Sequence, residues 1–502
     1  MLEEGGIAVQ LKSLTNALLR YRIVHEADVD IVSITSDSRE VEKGSLFVAL
    51  SGYTVDGHDF VEESVARGAA AVLLERPNHR VGVPQIVVPD SHLASAIVAD
   101  VFYGHPSSRL RMIGVTGTNG KTTVTHLIER VLADAGKVPG VCGTLGARFQ
   151  GQTVELNNTT PFPVVLHGIL SDMAAAGCTH GVMEVSSHAL ERRQNAGVQY
   201  KVAVFTNLTQ DHLDFHGTMD AYLAAKSKLF SRLGNAYGEH HRDMSFGVLN
   251  ADDNASKYLA SQTVFECVTY GIENDADVRA VDLRIGPDGV ECEVHTWKGD
   301  GHLQMGITGR FNVYNALAAV AVALVEGIEL EHILASLKGI AGVPGRLERV
   351  PGNHPFTVLV DYSHTPDSLE NALTTIHEFA KGKIICVVGC GGDRDKGKRP
   401  IMARIACEQS DLAVLTSDNP RTEDPEAILD DMEAGVKDAA YRYHRILERA
   451  EAISSAISHA EPGDVVLIAG KGHETYQIIG RTKHHFDDRE VAKQAIDERF
   501  NG

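Results

Sequence analysis

The sequence predicts an α/β protein in three domains, the middle one built on a parallel sheet and the last one Rossmann-like. Three observations predict this. The length of 502 residues corresponds to roughly three domains of about 150 residues each. Apolar, strand-like runs alternate with helical patterns over most of the chain, the arrangement of parallel sheets covered by helices. A strand, a glycine loop and a helix follow one another between residues 111 and 132, the strand-to-helix context that a glycine-loop motif of an α/β fold requires.

The elements fall in order. Residues 1–106 mix short strands and helices, with apolar runs at 44–50 and 69–74. Gly, Pro and Ser cluster at Tyr103-Gly104-His105-Pro106-Ser107-Ser108, which marks a boundary. Strands of the middle domain, residues 107–342, are expected at 112–115, 181–185, 202–205 and 246–249. A second boundary falls at Gly342-Val343-Pro344-Gly345. Residues 343–502 form another α/β unit, with strands at 356–360, 384–388, 412–415 and 465–469.

Bulk properties narrow the function. Lys plus Arg number 47 and Asp plus Glu 67, a net charge of −20. Such a chain repels a phosphate backbone, so nucleic-acid binding is not expected. No run of 18 apolar residues occurs and MLEEGGIAVQLKSL lacks a basic start with an apolar stretch, so neither a membrane span nor a signal peptide is expected. Seven scattered cysteines without a CxxC pair fit reduced thiols of a cytoplasm and no zinc site.

Chemistry is legible first at Thr116-Gly117-Thr118-Asn119-Gly120-Lys121-Thr122. A strand precedes this string and a helix at 124–132 follows. Its backbone N–H groups and the helix N-terminus can cradle phosphate oxygens. Lys121 would neutralise the outer phosphates and the Thr122 hydroxyl would reach Mg²⁺. This makes the middle domain a P-loop ATPase domain, although Val115 stands where the strict GxxxxGK[ST] pattern has glycine. Glu184 sits near the end of an apolar strand, where ligands bind in α/β folds; capping the next turn is its plainer role. His212 and His216 are four apart and could share a helix face, a spacing open to zinc, though no HExxH occurs there and no third soft ligand is obvious. Lys226 reads only as a helical lysine, ordinarily solvated. Asn312 and Asn315 open an Ala-rich helix at 316–324, where capping is the plain reading. Gly389-Cys390-Gly391-Gly392 hints at a dinucleotide fingerprint, but Arg394 occupies the third glycine's place. A P-loop binding or switch protein is the alternative from a different class.

The string TGTNGKTT resembles the Mur ligases, ATP-dependent amide-bond synthetases of peptidoglycan precursor assembly. The resemblance runs along nearly the whole chain, through Asp37-Ser38-Arg39, Asn158-Thr159-Thr160-Pro161, Met183-Glu184-Val185-Ser186-Ser187-His188, Asp211-His212-Leu213-Asp214, Phe311-Asn312-Val313-Tyr314-Asn315, Pro344-Gly345-Arg346, the segment 361–367 and Gly470-Lys471-Gly472-His473-Glu474. Asp418-Asn419-Pro420-Arg421 looks like the family's meso-diaminopimelate recognition motif; lysine-adding relatives differ at its last position, and the L-lysine-adding ligase is the nearer alternative.

The resemblance implies a cytoplasmic, monomeric enzyme that joins meso-diaminopimelate to the D-Glu γ-carboxylate of UDP-MurNAc-L-Ala-D-Glu through an acyl phosphate, using ATP and Mg²⁺. It implies Lys121, Glu184, His212 and Lys226 as catalytic residues, Lys226 as a carbamate (N6-carboxylysine), with Thr122, Glu184, His212 and that carbamate at the metal. It makes Asn312 and Asn315 adenine contacts, adds Arg346, Asp361 and His364 to the loop residues that hold ATP, and leaves His216 structural. Ser38, Tyr53, Thr54, Val55, Asn158, Thr159, Thr160 and Ser186 match contacts to the nucleotide substrate. Relatives carry an arginine where this chain has Gln194; Arg192 or Arg193 is the candidate replacement. Arg394, Asp418, Asn419, Pro420, Arg421, Gly470 and Glu474 are implied for diaminopimelate, with arginines as bidentate carboxylate donors.

Overall fold

The computed structural model describes residues 8–51, 55–156, 158–234, 238–286, 289–340, 342–437 and 439–500. Three large sheets organise them. The first has five strands in the order Arg22–Val24, Gln85–Val87, Ala71–Leu74, Ser45–Val48, Ser33–Thr35. All neighbours are parallel except the first pair. Ala71–Leu74 and Ser45–Val48 are buried at every position, as continuous apolar runs in parallel strands must be.

The second sheet has eleven strands. Seven are parallel, running across the sheet as Pro139–Gly143, His180–Glu184, Arg111–Thr116, Tyr200–Phe205, Phe246–Asn250, Cys267–Gly271 and Val278–Gly286. Antiparallel strands extend it at both ends, among them the hairpin partners Gly289–Thr296 and Gly299–Met305. The expected strands at 112–115, 181–185, 202–205 and 246–249 are therefore part of a much wider sheet. Its core is closed by the helix Arg310–Val325, in which thirteen residues are buried; a helix apolar on every side needs cover on every side.

The third sheet orders Glu348–Arg349, Thr357–Asp361, Val465–Ala469, Ile384–Cys390, Leu412–Ser417 and Tyr443–Arg445. Only the first pair is antiparallel. Register brings Asp361 beside Ala469 and Cys390 beside Ser417. Asp361, Gly391, Asp418 and Gly470 thus leave the sheet at the same, carboxyl edge, where open α/β sheets bind ligands. Cys386 and Cys390 are buried within one strand as plain core residues.

Candidate active site

The strand Arg111–Thr116 lies between His180–Glu184 and Tyr200–Phe205, with Val115 opposite Glu184 and Thr116 opposite Phe205. The phosphate loop leaves this central strand. Gly117 and Gly120 hold positive φ, +148° and +85°, which glycine adopts at little cost. The following helix is Lys121–Asp134, so it starts three residues before the expected 124 and places Lys121 and Thr122 in its first turn, at the positive end of the helix dipole. Lys121 Nζ donates to the Gly117 and Thr118 carbonyls at 3.0 and 2.7 Å. Burial lowers its pKa and the Glu184 carboxylate opposes that shift.

Glu184 is 1% exposed and caps nothing. Its carboxylate accepts from Thr122 Oγ1 at 3.0 Å, the Thr144 N–H at 2.8 Å and Thr144 Oγ1 at 3.1 Å. A Cβ on Gly143 would lie 2.2 Å from Glu184 Oε1, so that glycine makes room for the carboxylate. Thr160 Oγ1 donates to the Glu184 carbonyl at 2.8 Å and accepts the Ser186 N–H at 3.0 Å.

Lys226 is not solvated. It is 1% exposed in the helix Met219–Ser231. Its Nζ donates to the Gly117 carbonyl at 2.8 Å and lies 4.2 Å from the centre of the Tyr222 ring. Burial pushes its pKa well down, and Lys121 pushes the same way. Tyr222 is tied to the loop through Thr118 Oγ1 at 3.2 Å. His212 has φ +53° and precedes the short helix Leu213–His216. It does not share a helical face with His216; both rings pack on His188, at 4.6 and 5.5 Å. Burial and these neighbours bring His188 down to about 4, and burial lowers His212 and His216 as well.

The third sheet closes over this loop. Arg346 Nη2 donates to Thr122 Oγ1 at 3.1 Å, while its Nε is buried without a partner among the described residues, so an anion beside it would complete its bonding. Asp361 accepts from the Leu347 N–H at 2.7 Å and from Ser363 Oγ, and burial raises its pKa. Asp367 accepts from Asn119 Nδ2 at 2.7 Å and Thr209 Oγ1 at 3.1 Å. His364 bonds the Tyr362 carbonyl at 2.8 Å, and burial takes its pKa to about 4. Together these groups bound a cleft of about 520 Å³ lined by Thr118–Thr123, Glu184, Asp211, His212, Asn315, Arg346, Asp361 and His364. Asn312 and Asn315 are not caps, because their helix begins at Arg310. Asn312 Nδ2 donates to the Thr308 carbonyl at 2.8 Å and its Oδ1 accepts from Asn315 Nδ2 at 3.0 Å.

A second cluster lies at the carboxyl edge of the third sheet. Asp418 and Asn419 follow the strand Leu412–Ser417 and are buried. Asn419 Nδ2 donates to Glu474 Oε2 at 2.8 Å. Burial raises the pKa of Glu474, and the Asp418 charge adds to that. Arg421, at φ +51°, donates to the Gly392 carbonyl at 2.8 Å, and its charge and that of Glu474 both reach Arg394. Behind them Arg449, wholly buried and paired with Asp488 at 2.7 Å, also donates from Nη2 to the Ala469 carbonyl at 3.0 Å, pinning the strand end before Gly470.

On the side of the first sheet, Ser38 opens a 3₁₀ turn capped by Asp37, and Val55 is exposed. Tyr53 and Thr54 lie outside the described residues. Asn158 is exposed and Thr159 half-buried, the latter 3.1 Å from Thr144 Oγ1. Gln194 is buried. The arginines beside it diverge: Arg193 lies 3.6 Å from Asp90, and Arg192 lies over the Phe215 ring at 5.5 Å. Residue-by-residue reading of the sequence passed over Thr144, Tyr222, Asp367 and Lys471. Asp367 and Lys471 lie inside quoted motifs, whereas nothing in the sequence marks Thr144.

Residues 30–103 match the catalytic domain of the Mur ligase family, residues 115–323 the Mur ligase middle domain, and residues 345–472 the Mur ligase glutamate ligase domain. Over 98% of its length the chain is 49% identical to UDP-N-acetylmuramoyl-L-alanyl-D-glutamate–2,6-diaminopimelate ligase of Bacillus cereus, 99% of which is covered. It is 51% identical, again over 98%, to the protein of that name from Geobacillus thermodenitrificans, covered in full. A solved structure of a UDP-N-acetylmuramoyl-L-alanyl-D-glutamate–2,6-diaminopimelate ligase superposes with a TM-score of 0.67 at 33% identity, over 98% of this chain and 99% of that one.

Proposed function

The chain belongs to the Mur ligase family, and from that premise we propose that it is the ATP-dependent ligase that adds meso-diaminopimelate to UDP-MurNAc-L-Ala-D-Glu in peptidoglycan precursor synthesis. Residues 1–106 hold the uridine nucleotide, 107–342 ATP, and 343–502 the incoming amino acid. The enzyme works in the cytoplasm. One observation carries this reading: a phosphate loop closed over by Arg346 and Asp367 shares the chain with a second cluster in which the charges of Arg421 and Glu474 reach Arg394 and the buried Asp418 stands near Glu474.

The D-Glu γ-carboxylate attacks the γ-phosphate of ATP; ADP leaves and an acyl phosphate forms. The amine then attacks the acyl carbon and phosphate leaves. Two anions approach in the first step, so cations fixed in advance at the phosphates lower the barrier. Lys121 and Arg346, which line the same cleft, supply them. Thr122 and Glu184, 3.0 Å apart, offer the hard oxygen ligands that suit Mg²⁺. Among the described residues no three His, Cys, Asp or Glu side chains group to hold a metal by themselves, so phosphate oxygens and water would complete its shell. When bound, the ion neutralises charge on the transferring phosphoryl group. Burial favours the neutral Lys226 amine, the form that adds CO₂ to give a carbamate with loss of a proton. Arg192 lies over Phe215, which stacks on His188, and that contact favours it over Arg193 as the arginine that replaces the one relatives carry at the position of Gln194.

In the amino-acid pocket, Arg394 and Arg421 meet the carboxylates of diaminopimelate, and Glu474 with the Gly470 carbonyl meets the distal ammonium. The test is phosphate release with UDP-MurNAc-L-Ala-D-Glu, ATP and meso-diaminopimelate. Turnover is expected; an equal or higher kcat/KM with L-lysine would overturn the specificity.

A further inference from the structure

Lys471 has no part in the two chemical steps, yet it is wholly buried behind the amino-acid pocket. An ammonium has three donors and no acceptor. Here Nζ donates to Asn419 Oδ1 at 2.9 Å and to the Tyr476 carbonyl at 2.7 Å. The carboxylates of Glu474 and Asp418 stand 3.5 and 3.7 Å away. Asn419 Oδ1 also accepts the Ile478 N–H at 2.9 Å. With two donors on that oxygen, the amide has one favourable orientation: its NH₂ faces Glu474 Oε2, at 2.8 Å. A reversed amide would set NH₂ against two N–H groups. The ammonium therefore fixes Asn419, and Asn419 fixes Glu474.

Resting on the function proposed above, we propose that Lys471 is a positioning residue that orients Asn419 and Glu474 and, by its charge, sets the preference for a side chain ending in both an ammonium and a carboxylate over one ending in an ammonium alone. Asp418 and Glu474 together carry two negative charges, and Lys471 offsets one of them. The distal end of meso-diaminopimelate is a zwitterion, whereas that of L-lysine is a bare cation. Removing the buried positive charge makes the pocket one unit more negative. That change repels the distal carboxylate and attracts the bare ammonium, and few water molecules screen it at this depth.

The experiment is steady-state kinetics of the full chain and of Lys471→Met with meso-diaminopimelate and with L-lysine. Hydroxylamine, which traps an acyl phosphate as a hydroxamate, reads the first step without any amino acid. In Lys471→Met the KM for meso-diaminopimelate should rise at least about tenfold and the preference over L-lysine should narrow at least about tenfold. Hydroxamate formation and the KM for ATP should stay within about twofold. Lys471→Gln keeps a donor for Asn419 without the charge; its preference should narrow with a smaller rise in KM, and it carries the test alone if the Met variant does not fold. A preference within twofold of the unaltered protein in the folded variants overturns the proposal, as does a hydroxamate rate that falls in step with overall turnover. Failure of the unaltered protein to use meso-diaminopimelate would instead overturn the functional reading.

Discussion

Lys226 shows how burial decides a residue's chemistry. In sequence it is one lysine in an ordinary helix, and its plain reading is solvated. In the fold its ammonium lies under the phosphate loop, on the Gly117 carbonyl and against Tyr222. Burial and the charge of Lys121 both favour the neutral amine, and a neutral amine is what CO₂ requires. Lys226→Ala should therefore lose most of the activity, and a short carboxylic acid supplied in solution should restore part of it by placing a carboxylate in the space left behind. Kinetics with and without the acid check this, and full activity in the untreated variant would end the carbamate assignment. The burial was not legible, because it comes from packing between residues 109 positions apart. Lys121, Thr122 and Glu184 were legible, because a phosphate loop and a strand end carry their context in the neighbouring residues.

At the scale of elements, the strand–loop–helix unit was readable because its parts are contiguous. Starts and widths were less so. The helices begin at Lys121 and Arg310, before their apolar patterns do, since their first turns bear polar residues. The strands Val278–Gly286, Gly289–Thr296 and Gly299–Met305 pair antiparallel with one another, intersperse buried positions with half-buried and exposed ones, and show none of the continuous apolar runs that marked the other parallel strands. The loop itself depends on a contact across elements. A Cβ on Gly120 would stand 2.4 Å from Asn315 Oδ1, and Asn315 is held through Asn312 to the Thr308 carbonyl. Gly120→Ala should thus combine the strain of a left-handed backbone, about 1–2 kcal/mol, with a clash of similar size, and should raise the KM for ATP. Gly136→Ala is the comparison: its φ is +74° but nothing lies within 4 Å of the added carbon, so only the backbone strain should appear. Denaturation midpoints of the two variants measure the difference; equal losses would mean that Asn315 moves aside freely.

At the scale of the whole molecule, the acidic composition alone says little about pH, because buried groups set the slope of stability. His188, His364 and His473 are each held down to about 4, burial being the first cause in every case. Their unfolded value is about 6.5. Between those limits the unfolded chain binds more protons than the native one, so stability rises with pH across the window and is lost as pH falls from about 6.5 towards 4. Carboxylates act elsewhere. Asp56, lowered to about 2 by its bonds with His58 against the cost of burial, adds stability that disappears only as the pH falls below about 4. Asp361 and Glu474 have raised values; the native state takes up their protons first, which opposes the histidine loss near the acid end of the window. Denaturant midpoints measured from pH 7.5 to 5.0 should therefore decline before any carboxylate titrates in the unfolded chain. His473→Gln should flatten that decline, because its ring lies outside the phosphate loop and its Nδ1 has no partner among the described residues to lose. A midpoint independent of pH over that range would show that the rings accept protons without cost in the folded protein, and a decline unchanged in the variant would show that His473 is not among the groups that cause it.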